Sequence, residues 1–388
     1  MDAAALKESW ALVAKSGDEV PLYFYSHLFL SHPELRDLFP ISMAAQRDKL
    51  VRALGHIVSN VDEIESAVPF IQQLGRDHRR FSVIAENYGA VGVSLLATLQ
   101  HFLGPGWTQS LAADWAAAYG LVAKVMVQAA EEAADTPPWW EAEVISVDRR
   151  TMDITVLELR TELPFAFEPG QSVAVEMPQR PRLWRYFSPA NAPRGDHTLQ
   201  LQIQLVDGGQ VSTAVARLLR AGDTLKLGAP VGNRLTRQAG DQSPLLMVAG
   251  GTGLAPLRAV LEQIDREWET DGRAPDVHLF HGARVPWNLY ERDLLTRLTQ
   301  RPWFGYTEVV SDDPSYPGTR GRVGTAAADS QAWRDRSVLV CGSPAMVRHS
   351  LDALTAAGAP DDSIRREDFG YDSPPQPLPA LSGSGRDQ

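Results

Sequence analysis

The spacing of apolar positions changes twice along this 388-residue chain, and each change predicts a new architecture. Up to about residue 134 they recur every three or four residues, the period of a buried helical face. The clearest run is Trp107, Leu111, Trp115, Ala118, Val122, Val125 and Ala129, with Gly104-Pro-Gly106 before it. Asp135-Thr-Pro-Pro138 ends the helical pattern, because consecutive prolines favour an extended connector. The period then becomes two. Leu199-Gln-Leu-Gln-Ile-Gln-Leu205 alternates without fault and predicts a strand with one buried face. Residues 141–148, 152–160, 171–177 and 225–227 are shorter strand candidates, and so many short strands close naturally into an antiparallel barrel. From Ser243 the apolar runs 244–249, 277–280 and 337–341 alternate with helical stretches, which predicts an α/β domain with a mostly parallel sheet. The expected domains are an all-α domain over 1–135, an antiparallel β-barrel over 136–236 and an α/β domain over 243–371. The Pro- and Ser/Gly-rich tail, 372–388, is expected to be disordered.

Charge narrows the partners. With 37 Lys and Arg against 48 Asp and Glu, the net charge is −11, which argues against nucleic acid, since phosphate binding needs a basic face. Cys341 is the one cysteine, so an intramolecular disulfide, a cysteine zinc site and an iron–sulfur cluster are all excluded. The N-terminus lacks a basic start followed by an apolar run, and no uninterrupted apolar stretch reaches membrane-spanning length. A cytoplasmic protein without a membrane span is expected. Oligomeric state, a monomer included, is left open.

A lone histidine on a helix is usually structural, and eight of the nine histidines have no companions for a metal role. His78 differs. Phe24-Tyr25, His32-Pro-Glu-Leu35, Leu38-Phe39, Gln46-Arg47, Ser59-Asn60, Asp77-His78, Tyr88, Trp115 and Tyr119-Gly120 occur in an order that resembles the globin domain of flavohaemoglobins. The likeness continues to about residue 370. It implies haem b, with His78 as the proximal ligand to iron, because a neutral imidazole binds iron and leaves the opposite face open. It implies that Tyr88 and Glu132 stand behind His78, the carboxylate accepting the second ring N–H and raising the imidazole's donating power. Tyr25 and Gln46 are then donors to a gas ligand, Leu50 crowds that site, and Phe39 packs on the porphyrin. The family commonly has lysine before the proximal histidine, where this chain has Asp77.

Arg185-Tyr-Phe-Ser188 resembles the Arg-x-Tyr-Ser motif of the ferredoxin-reductase superfamily. The resemblance implies FAD, with Arg185 on its pyrophosphate and Ser188 near the reactive ring edge. Phe187 replaces the usual tyrosine, which keeps stacking and loses a phenolic hydrogen bond. Gly208-Gly209-Gln210-Val211-Ser212 reads as a second phosphate-binding segment opening a helix. Phe369, in Glu367-Asp-Phe-Gly370, is the aromatic expected to cover the flavin.

Ala249-Gly250-Gly251-Thr252-Gly253-Leu-Ala-Pro256 follows a predicted strand and opens a helix, as a pyrophosphate cradle requires. Cys341-Gly342-Ser-Pro344 resembles the segment these reductases set beside the nicotinamide ring. Cys341 reads equally as a small buried hydrophobe. Arg284 could accept a 2′-phosphate, so NAD(P)H is the cofactor expected, with NADH favoured. The resemblance implies a nitric oxide dioxygenase acting on O2 and NO, with electrons passing from NAD(P)H through FAD to haem. Alternatives are a gas-binding redox sensor and an NAD(P)H-dependent flavin reductase acting on other acceptors.

Overall fold

The computed structural model describes residues 1–368, the Ile64 side chain excepted. Two compact units divide the chain at Trp139 and Trp140, with Pro181–Leu183 grouped in the first.

The first unit is helical: α1 (Ala3–Val13), α2 (Glu19–Ser31), α3 (Ala44–Ser59), α4 (Ile64–His78), α5 (Asn87–Leu103) and α6 (Gln109–Glu132). Caps set the helix starts: Asp2 accepts from the Ala5 N–H and Thr108 from the Leu111 N–H. Along α6, Trp115, Met126 and Ala129 are buried, while Leu111, Ala118, Val122 and Val125 are half-buried against the same interior. By length and composition alone α6 is long and apolar enough to cross a membrane. It packs along α4 and α5 through one face. A Cβ at Gly75 would overlap the Met126 backbone, so this glycine permits the close approach of α4 to α6 one turn before His78.

The second unit contains two sheets. In the first, β1 (Trp140–Arg149), β2 (Ile154–Thr161), β3 (Val173–Met177), β4 (Arg180–Phe187), β5 (Thr198–Gln204) and β6 (Thr224–Leu227) pair antiparallel in the order β4-β3-β6-β1-β2-β5. A bridge from Pro189 to Leu201 draws the two edges together into the expected barrel-like form. Helix α7 (Gln210–Arg217) lies between β5 and β6.

The second sheet comprises β7 (Leu245–Gly250), β8 (Val277–Ala283), β9 (Phe304–Val310), β10 (Thr319–Arg320), β11 (Ser337–Gly342) and β12 (Ile364–Asp368). All its ladders are parallel, in the order β10-β9-β8-β7-β11-β12. Between strands run α8 (Leu254–Asp271), α9 (Arg292–Leu298), α10 (Val323–Asp329) and α11 (Pro344–Ala356). The run 244–249 is apolar throughout because both sheet faces are covered. Leu245, Met247 and Ala249 enter one core and Leu246 and Val248 the other, as period-two alternation requires. The order reverses between β7 and β11, the place where open α/β sheets take ligands.

Candidate functional site: a haem pocket and a two-cofactor reductase

His78 ends α4, and Ser82 four residues on adopts a left-handed φ of 59° that prevents continuation. The His78 Nδ1 lies 2.6 Å from the Leu74 carbonyl, one helical turn back. Since a carbonyl only accepts, Nδ1 carries the proton, and Nε2 presents a lone pair. Burial holds the imidazole pKa below its usual value, so the ring is neutral, the form a metal needs. Among the described residues no three His, Cys, Asp or Glu side chains converge as a metal site. A single axial imidazole is nevertheless what a porphyrin iron requires, the macrocycle supplying the other donors. The donor set therefore fits haem.

Tyr25, on α2, is buried and hydrogen-bonded with Gln46 on α3. Burial pushes its phenol well above the usual range, so it remains an O–H donor. Phe39 meets the Tyr25 ring edge-on at 5.5 Å, and Leu50 joins the same cluster half-buried. Phe29, which the sequence motifs did not single out, packs on both, at 5.7 Å from Tyr25 and 5.3 Å from Phe39. The Tyr88 ring lies 6.4 Å from His78, and the Tyr88 carbonyl accepts from Tyr119 Oη at 2.6 Å.

Glu132 corrects one expectation. It is exposed at the end of α6, where its Oε1 accepts from Gln128 Nε2 at 2.9 Å, one turn away. The proton expected to reach this carboxylate goes to the Leu74 carbonyl instead. Glu132→Gln is therefore expected to leave the haem reduction potential and the iron–imidazole stretching frequency of the loaded protein unchanged, checked by redox titration and resonance Raman. Asp77 is charge-paired with Arg80 at 3.2 Å.

In the barrel, Arg185 lies in the second half of β4 with its Nη1 donating to the Trp184 carbonyl, and Phe187, which ends the strand, is half-buried. Ser188 is buried, its Oγ 2.8 Å from the Ser172 Oγ, which in turn donates to Glu367 Oε1 at 3.3 Å. Gly208 has a φ of +73°, and Gly209 caps α7. A Cβ on Gly209 would lie 2.5 Å from Ser212 Oγ. Val211 and Ser212 are buried behind this turn, while Gln210 is exposed on its rim. Phe369 lies outside the described residues.

Ser172 and Glu367 were not read from the sequence. Glu367 stood in a quoted motif, but only the pairing of β12 with β11 places it opposite Cys341. Burial pushes its carboxyl up to about 7 from 4.5. The folded protein then keeps this proton between roughly pH 4.5 and 7 while the unfolded chain loses it, so stability falls as pH rises through that window. The loss is up to about 3 kcal/mol. Glu367→Gln is expected to flatten this dependence, measured by urea unfolding at about pH 5 and about pH 7.5.

The segment from Gly250 to Gly253 turns from β7 into α8. Gly251 has a φ of +54°. A Cβ on Gly250 would lie 2.8 Å from Met346 Cγ, and one on Gly253 would overlap the Cys341 carbonyl. Thr252 is half-buried between them, and Gly342 closes against Met346 and the Gly250 backbone. The bare backbone at the opening of α8 fits a pyrophosphate. Cys341 is fully buried, and burial pushes its thiol up, so it is a packed thiol and not a thiolate.

Comparison with known proteins agrees with this layout. Residues 22–126 match the globin family, 140–235 the oxidoreductase FAD-binding domain and 247–352 the oxidoreductase NAD-binding domain. A flavohemoprotein from Rhizobium meliloti (strain 1021) is 28% identical, covering 95% of this chain and 97% of its own. Another from Halalkalibacterium halodurans is 27% identical over 67% of this chain and 68% of its own. The crystal structure of flavohemoglobin from Malassezia yamatoensis, with bound FAD and heme, shares the fold with a TM-score of 0.75 at 19% identity, covering 95% of this chain and 98% of that one. A globin, an FAD-binding and an NAD-binding oxidoreductase domain thus follow one another here, which is the three-domain organisation of the flavohaemoglobins.

Proposed function

We propose that the chain oxidises nitric oxide to nitrate with dioxygen, on a haem b held by His78 and reduced by NAD(P)H through FAD. When bound, the flavin takes a hydride and releases electrons singly, and the haem iron binds diatomic gases. The observation that carries the reading is one globin unit with a neutral, lone-pair-presenting His78 and a protonated Tyr25 tied to Gln46, fused to a reductase. Arg185 pairs with the flavin pyrophosphate, and Ser188, held by Ser172, faces the ring edge. Gly250–Gly253 receive the dinucleotide pyrophosphate, and Cys341-Gly342 flank its nicotinamide. Tyr25 donates to a gas ligand, with Gln46 fixing the phenol's direction. The test is an electrode measurement of aerobic nitric oxide loss by haem- and FAD-loaded protein. Absence of NADH-dependent consumption rejects the reading.

Removal of the Tyr25 donor is expected to speed dioxygen dissociation. A lost hydrogen bond of roughly 1–2 kcal/mol corresponds to about a five- to thirtyfold faster rate for Tyr25→Phe. Stopped-flow displacement by carbon monoxide reads this directly, and an unchanged rate removes Tyr25 from the donor role.

One observation favours a second reading, a gas-binding sensor whose reductase resets the iron. His78 donates to a peptide carbonyl, a weaker acceptor than the expected carboxylate, and so gains less donating power. Slow nitric oxide turnover together with ligand-dependent partner binding would favour that reading.

A further inference from the structure

His281, on β8, is fully buried, and neither ring nitrogen has a hydrogen-bond partner. Buried polar groups are almost always satisfied, so this exception needs a cause. Its position supplies one. The ring stands edge-on to Tyr290 at 6.0 Å and lies in register with Ala249 on β7 and Glu308 on β9; the Gly251 backbone comes close enough to favour its protonation without meeting hydrogen-bond geometry. Gly251 is the left-handed residue of the glycine turn. On its other flank stands Gln204 of β5, whose Oε1 would be 3.4 Å from a Cβ at Gly251. The Gln204 amide is anchored to Asp153 Oδ2 at 2.9 Å.

We infer that His281 is a positioning residue for the dinucleotide, acting through the Gly251 peptide. The inference rests on the proposed use of NADH at this turn. Binding a pyrophosphate draws the turn's N–H groups toward the anion. The Gly251 carbonyl, at the opposite end of that peptide plane, then turns toward His281 and accepts its ring N–H. The loose approach of Gly251 to the ring is thereby tightened into a full hydrogen bond when the cofactor is present, and the loop is held in its binding shape. Burial pushes the imidazole down to about 4, so it acts as a neutral donor and not as a cation attracting phosphate.

The experiment compares the FAD- and haem-loaded parent with His281→Leu and His281→Gln, using NADH as donor and ferricyanide as outside acceptor. For His281→Leu the NADH KM is expected to rise about tenfold, with kcat changing less than about twofold, the size of one lost hydrogen bond. His281→Gln, which keeps an N–H donor, is expected to recover most of that loss. The Tm of His281→Leu should not fall, because an apolar side chain replaces an unpaired polar one. The KM increase should be constant between about pH 6 and 8, since a group titrating near 4 stays neutral there. A KM within twofold of the parent, or a rise that tracks lost flavin and lowered Tm, overturns the role of His281. A parent that does not oxidise NADH with ferricyanide overturns the dinucleotide reading itself, and this inference with it.

Discussion

Replacing His78 with alanine is expected to abolish stable haem retention, leaving purified protein with flavin absorbance and no Soret band. The geometry prepares this side chain as a nitrogen ligand: its tautomer is set by Leu74, its charge is suppressed by burial, and its helix is ended by the left-handed turn at Ser82. The fold should survive. The two clusters of the helical unit are built from Leu6, Leu28, Leu99, Ile71 and Met126, all buried without His78. Nitric oxide consumption should fall to background, while NADH–ferricyanide activity of the reductase stays within about twofold. Added imidazole that restores the Soret band would confirm that the loss is one of ligation. A native spectrum and full turnover in the alanine variant would remove His78 from the haem.

The second large effect is expected at Gly253. A methyl group there would occupy the space of the Cys341 carbonyl, on the strand next to β7, and backbone cannot yield as a flexible side chain can. Gly253→Ala must push α8 away from β11 or distort the turn that precedes it. Overpacking of this kind costs about 1–3 kcal/mol. The same displacement withdraws the backbone N–H groups from the pyrophosphate, so flavin reduction by NADH should slow about ten- to hundredfold. Dithionite should still reduce the flavin normally, since the barrel residues that hold it are untouched. Anaerobic stopped-flow absorbance separates the two, and unchanged reduction by NADH would show that this turn does not receive the cofactor.

Much of this was legible in the sequence because each feature is local. The period of three to four in residues 107–129 and the apolar run 244–249 report the burial of one face or of two, and the structure places each accordingly, while the alternation of residues 199–205 marks the strand but not the burial of its polar face. The glycine turn at 250–253 was legible for the same reason: strand, glycines and helix follow one another directly. The misses are contacts across the fold. Leu74 could have been found, since a helical residue four before a histidine presents its carbonyl to the ring. Glu132 was carried over by family likeness, which does not encode that a neighbouring Gln128 captures its carboxylate. Ser172 and Glu367 come from opposite ends of the reductase and meet only once both sheets have formed. The strand Arg180–Phe187 was hidden because its sequence is rich in arginine and interrupted by proline.

The glutamines of β5 carry a further consequence. Their alternation with leucine and isoleucine suggests a watery outer face, yet Gln202 is buried, accepting from Tyr290 and donating to Glu291, while Gln200 accepts from Arg258. The barrel and the parallel-sheet domain are therefore stitched by amides that have no substitute in solvent. Recombination that kept this barrel and imported a distant homologue's dinucleotide module would strand those amides unless Arg258, Tyr290 and Glu291 travelled too. Natural or engineered shuffling should thus inherit the reductase as a single cassette.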